Sequence, residues 1–248
     1  MLAGLTTFDR VAYNNKEIAD SPYMIAQIIV FVNLFIPLLL LIFSNFVQMR
    51  DKNSRVTELM YATGCSLSTL LTSRFLGLVT TGLTISFLFS TAMWLRTQFP
   101  VYLSANIAVQ PMTTYWAITA LFSVPTVIFF SAIFTYATNI FKNSIQLVSL
   151  GIMIYVTYFV LLILTGSPLI GGSLPVHSFV RELSSVLDPF AITSFFEITE
   201  YWSSKARNIQ QIPLDGSFLI NRLFWTITAG LILVKTLTKN MPFFFGLK

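Results

Sequence analysis

The chain reads as long uncharged apolar runs separated by short polar segments. Met24 to Met49 carries no charge, and about 20 apolar residues cross the hydrocarbon of a bilayer, so a membrane helix is predicted over about 24–46. Pro37 should kink it, which membrane helices tolerate. A second span is predicted over 75–95, bounded by Arg74 and Arg96, and a third over 114–138, with Pro125 near its middle. A tight turn over 139–144 leads into a fourth span, 145–164, and the last run predicts a fifth, 217–236. The fold class is therefore all-α, one polytopic helical membrane domain covering 1–248. Residues 1–23 form a charged lead-in; no basic stretch, apolar core and small-residue cleavage site marks a signal peptide there.

Two polar segments stand out. Arg50 to Arg74 opens with Arg50, Lys52 and Arg55, then places Val56, Leu59, Met60, Leu67, Leu70 and Leu71 near a helical rhythm. Gly64 breaks that run and Ser66 can cap a fresh helix. Residues 165–216 begin with Gly166, Pro168, Gly171, Gly172 and Pro175. There Asp188-Pro189 reads as an N-cap followed by proline, starting a helix to about Lys205. Phe190, Phe195, Phe196, Tyr201 and Trp202 lie along it beside Glu197 and Glu200, a composition suited to the membrane–water interface. Arg222 is expected one turn inside the last span, snorkelling outward.

Composition narrows the chemistry. The chain is 55% hydrophobic and 10% charged, with mean hydropathy +0.75. Soluble domains carry about 25% charge. Cys65 and His177 are the only residues of their types, too few for a disulfide framework or a cysteine–histidine metal site. Glu197 and Glu200 share a helix face, which suits paired-carboxylate chemistry or a solvated face; with no nucleophile beside them, the solvated face is expected. No Gly-rich loop ending in Gly-Lys-Ser/Thr is present, so ATP would not be bound by that route. The middle thirds of the spans hold no charge, which argues against a proton relay; their Phe, Met, Thr and Ser would suit an apolar or amphipathic substrate. Placing the 50–74 segment, the 139–144 turn and the C-terminus together puts eight basic residues against two acidic on one side. The other side holds seven basic against eight acidic, so the first is predicted cytoplasmic and nucleic acid is not an expected partner. Five spans then put the N-terminus outside, which calls either for insertion by charge bias alone or, the expectation preferred, for a further span preceding this sequence.

Two patches carry a resemblance. The first is Arg55-Val-Thr-Glu58-Leu-Met-Tyr61-Ala-Thr63-Gly64, with Ser66 and Arg74-Phe75-Leu76-Gly77. The second is Leu187-Asp188-Pro189-Phe190, Tyr201-Trp202, Asn208, Pro213-Leu214, Gly216 and Asn221-Arg222-Leu223-Phe224-Trp225. Together they resemble the ABC-2 type family of ABC exporter membrane subunits. Within it they are similar to a branch whose permease is fused to, or encoded beside, an M1-like zinc aminopeptidase; the lead-in Asn15 to Gln27 resembles the same branch. Gly64 stands where the family usually has proline, which keeps a helix break.

The resemblance implies a type V exporter-like transmembrane domain that forms half of a dimer with a second permease copy or homologue. It implies that 50–72 is a coupling helix seated on a cytosolic ABC ATPase subunit, with Arg50, Lys52, Arg55, Glu58, Tyr61 and Gly64 at the contact; Glu58 and Tyr61 would face the partner, and Val56, Leu59 and Met60 the membrane domain. Without the resemblance, the basic residues equally suit a loop on the cytoplasmic side that binds anionic lipid. Residues 188–205 would be re-entrant outer helices, with Asp188, Pro189, Phe190, Tyr201 and Trp202, and Asn221, Arg222 and Trp225 would open the last span. The chain itself would hold no cofactor and no catalytic site, the partner binding ATP and magnesium. An exporter permease, a force transmitter driving an outer peptidase-type domain, and a membrane scaffold are the functions weighed.

Overall fold

The computed structural model describes residues 20–54, 56–64, 66–99, 110–141, 143–165 and 178–238; Arg55, Cys65 and His177 lie outside them, as do the side chains of Lys52, Glu58 and Tyr61. Every regular element among the described residues is helical. The order is α1 (Pro22–Asn33), α2 (Ile36–Phe43), a π-helical segment (Ser44–Met49), α3 (Arg50–Asn53), α4 (Val56–Ala62) and α5 (Leu67–Arg96). Then come α6 (Met112–Ile140), α7 (Ser144–Thr165), α8 (Ser178–Leu187), α9 (Ile192–Thr199), α10 (Ser204–Ile209) and α11 (Gly216–Thr238). Five stretches are long and apolar enough to cross a membrane, namely Pro22–Met49, α5, α6, α7 and α11, the pattern of a multi-pass membrane protein.

The first span is jointed rather than bent at its proline. Ser21 caps α1 by accepting from the Met24 amide at 3.4 Å. The helix then breaks at Leu34-Phe35, and Pro37 falls in the first turn of α2, where its missing N–H costs nothing. The carbonyl of Leu34, freed at the break, accepts the Tyr155 hydroxyl of α7 at 2.5 Å. Pro125, by contrast, sits inside α6 without ending it.

α6 is the hub. It packs against α1, α5 and α11, and most of one side of it is buried. Close approach of α5 depends on Gly82, where a Cβ would stand 2.8 Å from Val127 of α6. The spans α7 and α11 are peripheral, and Ile220, Leu223, Ile227, Leu231 and Val234 form an exposed apolar stripe on α11. At one end of the bundle α6 meets a set of rings: Phe122 against Phe195 and Phe218 at 5.7 and 5.1 Å, and Phe130 against Phe190 at 5.5 Å. Phe190 and Phe195 are therefore core residues, not the interfacial aromatics that their charged neighbours suggested.

Candidate functional site

Chain direction places the sequence-predicted residues at opposite ends of the bundle. The 50–66 hinge lies between the C-terminal end of the first span and the start of α5, while Asp188 and Asn221 lie at the other end with α8–α10.

In the hinge, α4 is seven residues long and ends where Gly64 takes φ +84°, a left-handed conformation that non-glycine residues avoid. Thr63 closes the turn by donating its hydroxyl to the Met60 carbonyl at 2.8 Å. Ser66 then caps α5, accepting from the Thr69 amide at 3.2 Å, as the sequence suggested. Arg74 of α5 reaches back to Asp51 of α3 at 3.6 Å, and Arg50 lies over the Phe46 ring at 5.7 Å. Val56, Leu59 and Met60 were expected to face the membrane domain. Instead Leu59 is 66% and Met60 40% exposed, Met60 bordering a cleft between the first span and α5.

At the far end the structure brings Asp188, Pro189, Asn221 and Arg222 into one buried polar node. The reason starts with proline. Pro189 has no N–H to offer the Ser185 carbonyl four residues earlier, and the Phe190 N–H is taken by the Asp188 carboxylate at 2.9 Å, so α8 ends with unpaired carbonyls. The side-chain amide of Asn221 supplies the donors, reaching the carbonyls of Ser185, Val186 and Asp188 at 2.6, 2.9 and 2.8 Å. Its oxygen accepts from Arg222 Nε and Nη2 at 2.9 and 2.5 Å. Arg222 continues to the Phe122 carbonyl at 3.2 Å and Thr126 Oγ1 at 3.5 Å, in the turn of α6 that contains Pro125, and to the Pro189 carbonyl at 3.4 Å. Arg222 is thus 4% exposed and does not snorkel; the donors of its guanidinium are satisfied inside the protein.

Asp188 does not start one helix to Lys205. Its carboxylate instead caps α9 across a corner, accepting from the Thr193 amide at 2.8 Å while Ala191 takes φ 58°. A second break follows, and Ser203 caps α10 by accepting from the Ala206 amide at 3.3 Å. The Tyr158 hydroxyl of α7 donates to Asp188 at 3.2 Å. Burial pushes the Asp188 carboxyl above its ordinary range, while the Thr193 and Phe190 amides, the Arg222 charge and the Tyr158 hydroxyl pull the other way.

The remaining predicted residues stand outside the node. Trp225 packs its ring against Phe129 at 4.3 Å. Tyr201 is 86% exposed and Trp202 partly buried. Glu197 and Glu200 do not form a free solvated face: both pair with Arg181 of α8, Glu197 at 3.6 Å. At the same end Arg96 binds Asp20 at 2.7 Å, joining the end of α5 to the start of the first span. Residues that sequence reasoning missed are Gln48, Thr126 and Tyr158; for Gln48 the available signal was Ser44 one turn earlier, two polar side chains on one face of an apolar run.

Among the described residues no group of three His, Cys, Asp or Glu could hold a metal ion. The node offers no exposed nucleophile. It acts as a joint, tying α8 and α9 to α6, α7 and α11 by hydrogen bonds from both sides. Comparison with protein-family models, with curated proteins and with solved structures finds no match to this chain.

Proposed function

We propose that the chain is the membrane-spanning permease subunit of an ATP-driven exporter of the ABC-2 type, set in the cytoplasmic membrane of a bacterium. A separate cytosolic ABC ATPase docks on the 50–66 hinge, a second permease copy or homologue completes the pathway, and ATP hydrolysis drives export. The support is the resemblance of the hinge and of the 187–225 segment, and one geometric observation: α4 holds Leu59 and Met60 exposed in a basic segment between two spans. An apolar surface on a polar connection is what a protein partner covers.

The test is copurification of an ABC ATPase with the full chain, followed by Glu58→Lys in reconstituted vesicles. Charge reversal at the docking surface should lower transport and stimulated ATPase activity about tenfold, with thermal stability unchanged. Undiminished transport by Glu58→Lys would remove the hinge from the mechanism.

A second reading is favoured by the node. Because Asn221 and Arg222 hold α8 to spans α6 and α11, movement of the spans moves α8 and α9 with them. That suits a force transmitter driving an outer, M1-like peptidase domain without a transported substrate. Stimulation of the ATPase by an added apolar or amphipathic substrate favours the exporter; its absence, with the ATPase still bound, favours the transmitter.

A further inference from the structure

A cleft of about 310 Å³ opens beside the hinge, between the end of the first span and the first half of α5, with Met60 of α4 in its wall. Its volume is that of a small-molecule site. Its chemistry is divided. Phe43, Val47 and Leu78 make an apolar wall, and Asp51 and Arg74 sit together in the lining. At 3.6 Å the ion pair is longer than the roughly 2.7–2.9 Å of a charge-assisted hydrogen bond, and both side chains are partly exposed. Gln48 also lines the cleft. Its oxygen accepts the Thr138 hydroxyl at 2.6 Å, but its Nε2 is buried with no hydrogen-bond partner among the described residues. A buried amide donor without an acceptor is destabilising, and a bound acceptor would relieve it. Space remains on the α5 side: a Cβ built on Gly77 meets nothing within 4 Å.

These features select one class of ligand. A simple anion on Arg74 would also meet Asp51, and a simple cation on Asp51 would meet Arg74. A zwitterion satisfies both. The apolar wall asks for a chain, and the cleft lies at the end of two candidate spans, where a bilayer's head groups meet its hydrocarbon. We propose that the cleft binds one amino-zwitterionic phospholipid from the surrounding bilayer. Its phosphate lies on Arg74 and Gln48 Nε2, its ammonium on Asp51, and one acyl chain along Phe43, Val47 and Leu78. The lipid bridges α4 to both neighbouring spans and so links the pose of the hinge to membrane composition. The proposal does not depend on what docks on the hinge.

The experiment is native mass spectrometry of the full chain in detergent, with dihexanoyl phosphatidylethanolamine, phosphatidylglycerol or phosphatidylcholine added at equal concentration. One phosphatidylethanolamine should be retained about fivefold more than either other lipid, since phosphatidylglycerol repels Asp51 and the choline ammonium has no N–H to give it. Gly77→Leu fills the cleft while leaving every polar group in place, and it replaces a glycine inside a helix. It should abolish the preference with thermal stability equal to or above that of the original chain. Asp51→Asn should let phosphatidylcholine compete equally. Equal retention of the three lipids, or retention undiminished by Gly77→Leu, overturns the proposal. So does a change from dimer to monomer in Gly77→Leu without lipid, which would mean that a second copy covers the cleft.

Discussion

Asn221→Leu removes the joint between α8 and the last span while keeping the branching and the number of side-chain heavy atoms. The magnitude follows from what is left behind. The Ser185 carbonyl has no backbone donor to turn to, because the residue four places on is Pro189. The Val186 carbonyl has none either, because the Phe190 N–H is committed to Asp188. The Asp188 carbonyl keeps the Ala191 amide at 3.1 Å and is not orphaned. Arg222 loses the acceptor of two of its N–H groups but keeps Phe122 and Pro189. Two buried orphan carbonyls at about 1–3 kcal/mol each, plus a loosened guanidinium, give a loss of roughly 3–5 kcal/mol. For a chain of this size that lowers the midpoint of thermal unfolding by about 6–20 °C. The assay is thermal unfolding in detergent together with hydrogen exchange of the α8 amides, which should lose protection before those of α6. Ile220→Ala, at an exposed neighbouring position of α11, is the control and should be near neutral. A midpoint shift of less than about 2 °C with α8 protection intact would mean that Asn221 does not hold the end of α8.

Arg222→Met strands the Asp188 carboxylate without its buried positive neighbour and should cost about 3–5 kcal/mol. Combining it with Asp188→Asn should recover at least about 1 kcal/mol relative to additivity, measured by thermal unfolding of the four proteins in the cycle. Gly82→Ala improves helix propensity yet should destabilise by about 1–3 kcal/mol. The added methyl meets Val127, whose β-branched side chain cannot turn aside within its helix; unchanged unfolding would mean that α5 does not sit as close to α6 as described.

The five spans were legible because each is an uncharged apolar run of bilayer length, and their observed limits lie mostly within three residues of those expected. The exception is α5, which begins at Leu67 rather than Phe75: Ser66 caps a helix that continues from the hinge into the span without a break. The hinge break at Gly64 was legible for a local reason, since only the backbone decides it. The node was not. An arginine near a span end reads as one that reaches water, and only three-dimensional packing shows that Pro189 strips α8 of donors and that Asn221 replaces them. Asp188 was expected as the N-cap of a helix starting at Pro189; the helix instead starts at Ile192 with Ala191 in the cap position, and the Asp188 carboxylate reaches its Thr193 amide across a left-handed residue that no local preference announces at alanine. The burial of Phe190 and Phe195 is likewise a property of the rings on α6 opposite them.

The joint at Leu34-Phe35 and the continuity of α5 have a joint mechanical meaning. A helix of 30 residues is about 45 Å long at about 1.5 Å per residue and behaves as a stiff rod. The first span is divided at Leu34-Phe35 into two shorter rods, so it has a joint where α5 has none. A displacement applied at Ser66 would be carried by α5 to Arg96 and, through its ion pair with Asp20, to the start of the first span. The two ends of that span are thus tied to α5 separately, one beside Asp51 and one through Asp20.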